Sequence, residues 1–323
     1  MLWKDHPENP LIYPPRSFPV RIIGDPTVLN PAETPDGKWH MWANSIPGLH
    51  HYISADGVKW EKDPSDKSMK PFRNGIRCSI LKRQKDYYLY YEKVHLLGQR
   101  NKVAVTHSTD LYNWSKPKVL LKQDLDWERQ SGLNKTLECP GIAYHPGQKK
   151  YYLFYSSGMV QLKGSSVKGI REPTHLGLAT STSPFGPFVK RSDPILKPDS
   201  NDIWHNLGAG AMQCYWNDEL QLLIGFNNGI YRRKTENGFV DGSGIMIYTS
   251  ADGEEWELRT TDPILLPDDS GRIKWKDALV YQMGLTSYDE IFYLYYNARS
   301  KKGVEYIGLA TCPVADVIDF LRE

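Results

Sequence analysis

Apolar and polar positions alternate along this chain in short runs, and the runs recur as a set. Asp25-Pro26-Thr27-Val28-Leu29 leads to Trp39-His40-Met41-Trp42, and Arg77-Cys78-Ser79-Ile80-Leu81 leads to Tyr87-Tyr88-Leu89-Tyr90-Tyr91. Thr136-Leu137-Glu138-Cys139-Pro140-Gly141-Ile142 leads to Tyr151-Tyr152-Leu153-Phe154-Tyr155 through the turn His145-Pro146-Gly147-Gln148. Gly208-Ala209-Gly210-Ala211-Met212 leads to Leu220-Gln221-Leu222-Leu223-Ile224, and Asp277-Ala278-Leu279-Val280-Tyr281 to Phe292-Tyr293-Leu294-Tyr295-Tyr296. Period-two alternation of aromatic and β-branched residues between Gly, Asp and Pro turns predicts strands. A unit repeated every roughly 50 to 70 residues predicts a repeat architecture.

A third strand follows in each copy, as in His51-Tyr52-Ile53-Ser54, Val103-Ala104-Val105-Thr106, Leu176-Gly177-Leu178-Ala179, Ile245-Met246-Ile247-Tyr248 and Ile307-Gly308-Leu309-Ala310. Trp60, Trp114, Phe188 and Trp256 open a fourth. Four antiparallel strands in five copies predict an all-β, five-bladed β-propeller. The last copy lacks a fourth strand, and the N-terminus supplies a match. Trp3 precedes Pro10 by the same seven positions that separate Trp256 from Pro263. The ring is therefore expected to close by the N-terminal strand joining the last blade, which removes a free sheet edge. A single domain spanning 1–323 follows, with Val314 to Leu321 as a helix packed outside it.

Composition narrows the picture further. Apolar residues at 40% and aromatics at 12% suffice for a sizeable core. Forty Lys and Arg against 38 Asp and Glu give no field for nucleic acid or a membrane surface. Cys78, Cys139, Cys214 and Cys312 lie far apart in apolar contexts and read as buried thiols rather than a disulfide framework. The opening residues carry no apolar core of a signal peptide, and no run approaches the ~18 apolar residues of a membrane helix. A cytoplasmic location is the expectation.

In a propeller the first strand of each blade lines the central channel, so five strand starts converge on one mouth. They bring Asp25, Arg77, Glu138, the small Gly208-Ala209-Gly210, and Asp277. Three carboxylates meeting there raise at least one pKa by repulsion and desolvation. A raised acid beside an ionised carboxylate is the arrangement that cleaves a glycosidic bond.

At this point the residues resemble the five-bladed propeller glycosidases of glycoside hydrolase families 43 and 32 and their relatives. Gly24-Asp25-Pro26 is similar to their first-blade Asp-Pro, and Glu138-Cys139-Pro140 to the Glu-Cys-Pro of family 32 and the Glu-Gly-Pro of family 43. The resemblance implies Asp25 as general base or nucleophile and Glu138 as general acid, acting on an oligosaccharide or glycoside. It departs at the second blade, where those families carry an Asp and this chain reads Arg77-Cys78-Ser79. Asp277 is then the expected substitute, with Arg77 meeting an acidic sugar, a phosphate, Asp25 or Glu138. Two alternatives stay open: a phosphorylase resembling family 130, and a catalytically degraded glycan-binding propeller.

Further substrate-binding candidates are Trp204, His205 and Trp275. Trp127 is a sugar-platform candidate beside Trp204 and Trp275, whereas Lys276, Asp124, Asp126 and Trp42 are weaker candidates, since a solvated position or, for Trp42, blade packing accounts for them better. No phosphate-binding Gly loop, nucleophile elbow or Cys/His metal spacing is present. No cofactor is expected beyond a structural calcium or sodium ion in the channel.

Overall fold

The computed structural model describes residues 3–15, 21–45, 48–64, 74–95, 101–129, 136–163, 170–236 and 238–323. The N-terminal strand is β1 (Lys4–Asp5). Blade 1 holds β2 (Gly24–Leu29), β3 (Trp39–Ser45), β4 (Gly48–Ser54) and β5 (Glu61–Lys62). Blade 2 holds β6 (Gly75–Arg83), β7 (Asp86–Lys93), β8 (Lys102–Ser108) and β9 (Lys118–Leu121). Blade 3 begins with β10 (Glu138–His145) and β11 (Lys150–Ser157). It then inserts a separate hairpin, β12 (Val160–Gln161) with β13 (Arg171–Glu172), before β14 (His175–Ser181) and β15 (Val189–Lys190). Blade 4 holds β16 (Gly208–Asn217), β17 (Leu222–Thr235), β18 (Gly238–Ser250) and β19 (Glu257–Leu258), and β20 (Leu279–Tyr288), β21 (Ile291–Arg299) and β22 (Glu305–Pro313) begin blade 5.

The fifth blade is completed by β1, which pairs antiparallel with β22 through Lys4↔Thr311 and Asp5↔Ala310. The Trp-to-Pro match of the sequence is structural. Ile12 bridges Ile307 as Leu265 bridges Ile245 and Leu196 bridges Leu176. Asn9 locks the seam, its Nδ2 donating to the Leu309 carbonyl at 2.8 Å and its Oδ1 accepting the Leu309 amide at 2.9 Å. Trp3 lies edge-on to Phe226 at 5.6 Å, tying the N-terminus to blades 4 and 5.

The core lies between blades rather than within them. Aromatic and branched faces of adjacent sheets share clusters: Trp42 with Leu89 and Tyr91, Tyr90 with Tyr155, and Phe154 with Met212, while Phe226 lies on Phe292 and Trp39 on Tyr295. The final helix α1 (Val314–Arg322) buries Val317, Ile318 and Leu321 on its inner face. Among the described residues no helix is long and apolar enough to cross a membrane.

Each first strand carries one register shift, at Gly24/Thr27, Ile76/Cys78, Glu138/Gly141, Ala209/Met212 and Tyr281/Met283. A bulge of this kind turns side chains out of the ladder. Here it turns them toward the channel. Gly141 follows the third bulge because blade 4 comes close, and a Cβ there would strike the Met212 carbonyl.

Candidate active site

A cavity of about 300 Å³ opens on the channel at the bulged ends of the first strands. Blade 1 gives it Asp25 and Asn44, blade 2 Arg77, blade 3 Glu138 and Cys139, and blade 4 the small Gly210 and Ala211. Blade 5 adds Tyr281, Gln282, Arg299 and Glu305, and the inserted hairpin adds Arg171 and Glu172. Gly210 has no room for a side chain, because a Cβ would run into Asn228.

Three of the bulges hold a non-glycine residue in the left-handed region: Asp25 at φ 53°, Arg77 at 46° and Cys139 at 49°. Such residues cost on the order of 1–3 kcal/mol each and gather at functional sites. Here the strain falls on or beside the three side chains that the sequence singled out on blades 1 to 3.

Burial raises the Asp25 carboxyl to about 6. Arg77 and a hydrogen bond from Asn44 oppose this, and Glu305 and Glu138 add to it. Glu138 is 5% exposed; its Oε1 accepts the Thr136 hydroxyl at 2.5 Å and its Oε2 lies 3.2 Å from Arg77 Nη1. The same Nη1 donates to Glu92 Oε2 at 2.8 Å, and Asn101 Nδ2 donates to Glu92 Oε1 at 2.5 Å. Glu92 stands at the buried end of β7, and burial pushes its carboxyl up. Arg299 Nη1 donates to Glu305 at 2.6 Å. Glu172 is 8% exposed, and burial lifts its carboxyl to about 8 against the pull of Arg77.

The structure thus brings Asp25, Glu138 and Arg77 to one cavity and places the other candidates elsewhere. Asp277 precedes β20, accepts the Lys301 amide at 2.7 Å and is not part of the cavity lining. Blade 5 bulges at Gln282, so Tyr281 and Gln282 face the cavity where Asp277 was expected. Trp275 stacks on Tyr296 at 5.8 Å, and Lys276 pairs with Asp5. Trp204 packs edge-on to Tyr231 at 4.9 Å, with its indole N–H on Asp262 at 3.2 Å. His205 is held by Asp202 at 2.9 Å, Tyr248 at 3.1 Å and Asn227 at 3.3 Å. Trp42 and Trp127 are packing residues, and Asp124 pairs with Lys190 at 2.7 Å.

Blade 2 brings a carboxylate to Arg77 from β7, not from β6. Cys78 is fully buried between blades 1 and 2, its thiol 3.8 Å from the Trp42 carbonyl, and never reaches the channel. Glu92, Glu172 and Glu305 were missed by sequence reasoning. Glu92 left one trace, as the acid that ends an otherwise apolar aromatic strand. Among the described residues no group of three or more His, Cys, Asp or Glu is arranged to hold a metal ion.

Comparison with known proteins agrees with this architecture. The model of glycosyl hydrolases family 43 matches residues 75–208, a span that holds Arg77, Glu92, Glu138 and Glu172 but not Asp25. No curated protein matches the sequence. A β-1,2-mannobiose phosphorylase from Listeria innocua superposes with a TM-score of 0.63 at 13% identity, covering 100% of this chain and 99% of that one. An N-acetylgalactosamine deacetylase from F. plautii gives 0.62 at 15% identity, covering 90% and 89%. An α-L-arabinanase from Cellvibrio cellulosa gives 0.59 at 14%, covering 89% and 90%. The chain resembles the five-bladed propeller glycoside hydrolases, and at these identities the solved structures establish a shared fold. Their different chemistries leave the function to be argued from the site.

Proposed function

We propose that this protein cleaves a glycosidic bond in the cavity, with Asp25 as base or nucleophile and Glu138 as proton donor. The observation that carries the reading is that Asp25 and Glu138, from blades 1 and 3, line one cavity with Arg77. A carboxyl near 6 titrates where a general base works best, ionised at neutral pH yet still basic. Arg77 serves two carboxylates, Glu92 and Glu138, with one guanidinium. Glu92 shares Arg77 with the proposed proton donor Glu138, and so takes up the tuning role of the absent second-blade Asp. The volume suits a small ligand rather than an open polymer groove.

One observation favours a second reading, phosphorolysis. Arg171 lines the cavity and makes no ion pair with another described residue, so it is placed to hold a phosphate nucleophile.

The test is turnover of a panel of gluco-, galacto-, manno-, xylo- and arabino-configured oligosaccharides and aryl glycosides, with and without inorganic phosphate. Release of free sugar, lost in Asp25→Asn and in Glu138→Gln, supports hydrolysis. Sugar 1-phosphate formed only with phosphate supports the second reading. Turnover that survives both substitutions eliminates the assignment.

A further inference from the structure

Charge around the cavity does not balance. Asp25, Glu138, Glu172 and Glu305 line it and Glu92 stands behind Arg77, making five carboxylates against the guanidiniums of Arg77, Arg171 and Arg299. Two of the three cations are engaged, Arg77 by Glu92 and Glu138 and Arg299 by Glu305. Glu172 is the group left over. It is more than nine-tenths buried, it lines the cavity, and it makes no hydrogen bond or ion pair with another described residue.

Its position is fixed by the fold. Glu172 pairs across the inserted hairpin with Val160, and the Leu162 amide closes that hairpin onto the Ile170 carbonyl at 2.9 Å. Leu162 is buried against Ile230 and Leu279, and the Lys163 amide donates to Asp241 Oδ2 at 2.6 Å. The burial of Leu162 and the hydrogen bond from the Lys163 amide to the Asp241 carboxylate thus hold the hairpin against blades 4 and 5. A carboxylate held rigidly in a buried cavity with no donor among the described residues is costly unless a ligand supplies one.

We propose that this cavity receives a sugar bearing a free amino group, a hexosamine unit, and that Glu172 binds its ammonium. The proposal rests on the reading of the cavity as a sugar site and adds the substrate class. An ammonium brings three donors and one positive charge, and it matches the excess of carboxylates that neutral hydroxyls leave uncompensated. The free protein holds a proton on Glu172 in place of the missing cation, as its raised carboxyl indicates. Binding an ammonium displaces that proton to solvent.

The experiment is isothermal titration calorimetry at pH 6.5 with glucosamine, galactosamine and mannosamine against glucose, galactose and mannose. At least one hexosamine is expected to bind about tenfold or more tighter than its neutral counterpart. Its binding heat, compared in two buffers of different protonation enthalpy, should show release of about one proton. Glu172→Gln should bring the amino-to-neutral affinity ratio to about one, whereas Glu172→Asp, which keeps the charge, should retain a preference. Neutral and amino sugars binding alike, or a preference that survives in Glu172→Gln, overturns this inference and leaves the glycosidase reading standing. If none of the six sugars binds at millimolar concentration, the sugar-site reading and this inference both fall.

Discussion

Arg77 Nη1 lies 2.8 Å from Glu92 Oε2, so blade 2 delivers its acidic group from its second strand. The guanidinium continues to Glu138 at 3.2 Å, and Glu92 is anchored behind by Asn101. Under the proposed mechanism Glu92 acts by positioning Arg77. Glu92→Gln is expected to lower kcat about 10–100-fold, the worth of one charged hydrogen bond, with KM changed much less. Steady-state kinetics on whichever substrate is turned over will show it. A rise in KM at unchanged kcat would place Arg77 in ground-state binding instead.

Acid dependence follows from Asp25. A base must be ionised, and burial holds this carboxyl at about 6, above its ordinary value. The rate kcat/KM should therefore fall as pH drops through about 6, tenfold per unit below it. A profile flat to pH 4.5 would remove Asp25 from the base role.

Stability responds to the same burial with the opposite preference. Glu172 has a folded value near 8, raised above that of the unfolded chain. Its contribution is therefore fully present below the unfolded value and lost as pH rises through about 8. Glu172→Gln is expected to be more stable than the natural protein at pH 9 by on the order of 1–3 kcal/mol, and equal to it at pH 4. Thermal unfolding at the two pH values measures the difference.

Ring closure rests on few residues. Trp3 is 8% exposed among Phe226 and Phe292, and Asn9 makes both seam hydrogen bonds to Leu309. Trp3→Ala should cost about 3–5 kcal/mol and Asn9→Ala about 1–3 kcal/mol. Either change loosens β1 from β22 and bares a strand edge, so dimers or aggregates should appear by light scattering below the melting transition.

How far the sequence reaches depends on the kind of signal. The blades were legible because each is a local repeat, and the seam because its Trp-to-Pro spacing matches that of blade 4. Asp25, Arg77 and Glu138 were legible because the bulged first strands converge on the channel in any propeller. Asp277 misled because the alignment of strand starts ignored the bulge, which in blade 5 falls at Gln282, five positions later in the chain. It instead caps the turn at Lys301, and Asp277→Asn should leave turnover within about threefold while lowering stability by about 1 kcal/mol. His205 and Trp204 misled because a His or Trp before a strand looks the same whether it faces a channel or a core. Glu92 and Glu172 were hidden for a different reason. One sits at the end of an aromatic strand and the other in a hairpin outside the blade repeat, so only three-dimensional packing joins them to the site.

The central claim is that a sugar occupies the cavity between Asp25 and Glu138. It is tested most directly by a crystal structure of Glu138→Gln soaked with the oligosaccharides of the turnover panel. The account predicts a sugar ring in the roughly 300 Å³ cavity, one face on Asp25, its glycosidic oxygen toward residue 138, with Glu172 reaching a ring substituent. A separation of about 5–5.5 Å between the two carboxyl positions would mean retention, and about 6.5–9.5 Å inversion. Sugar bound only elsewhere on the protein, with the Asp25 cavity left empty, would contradict it.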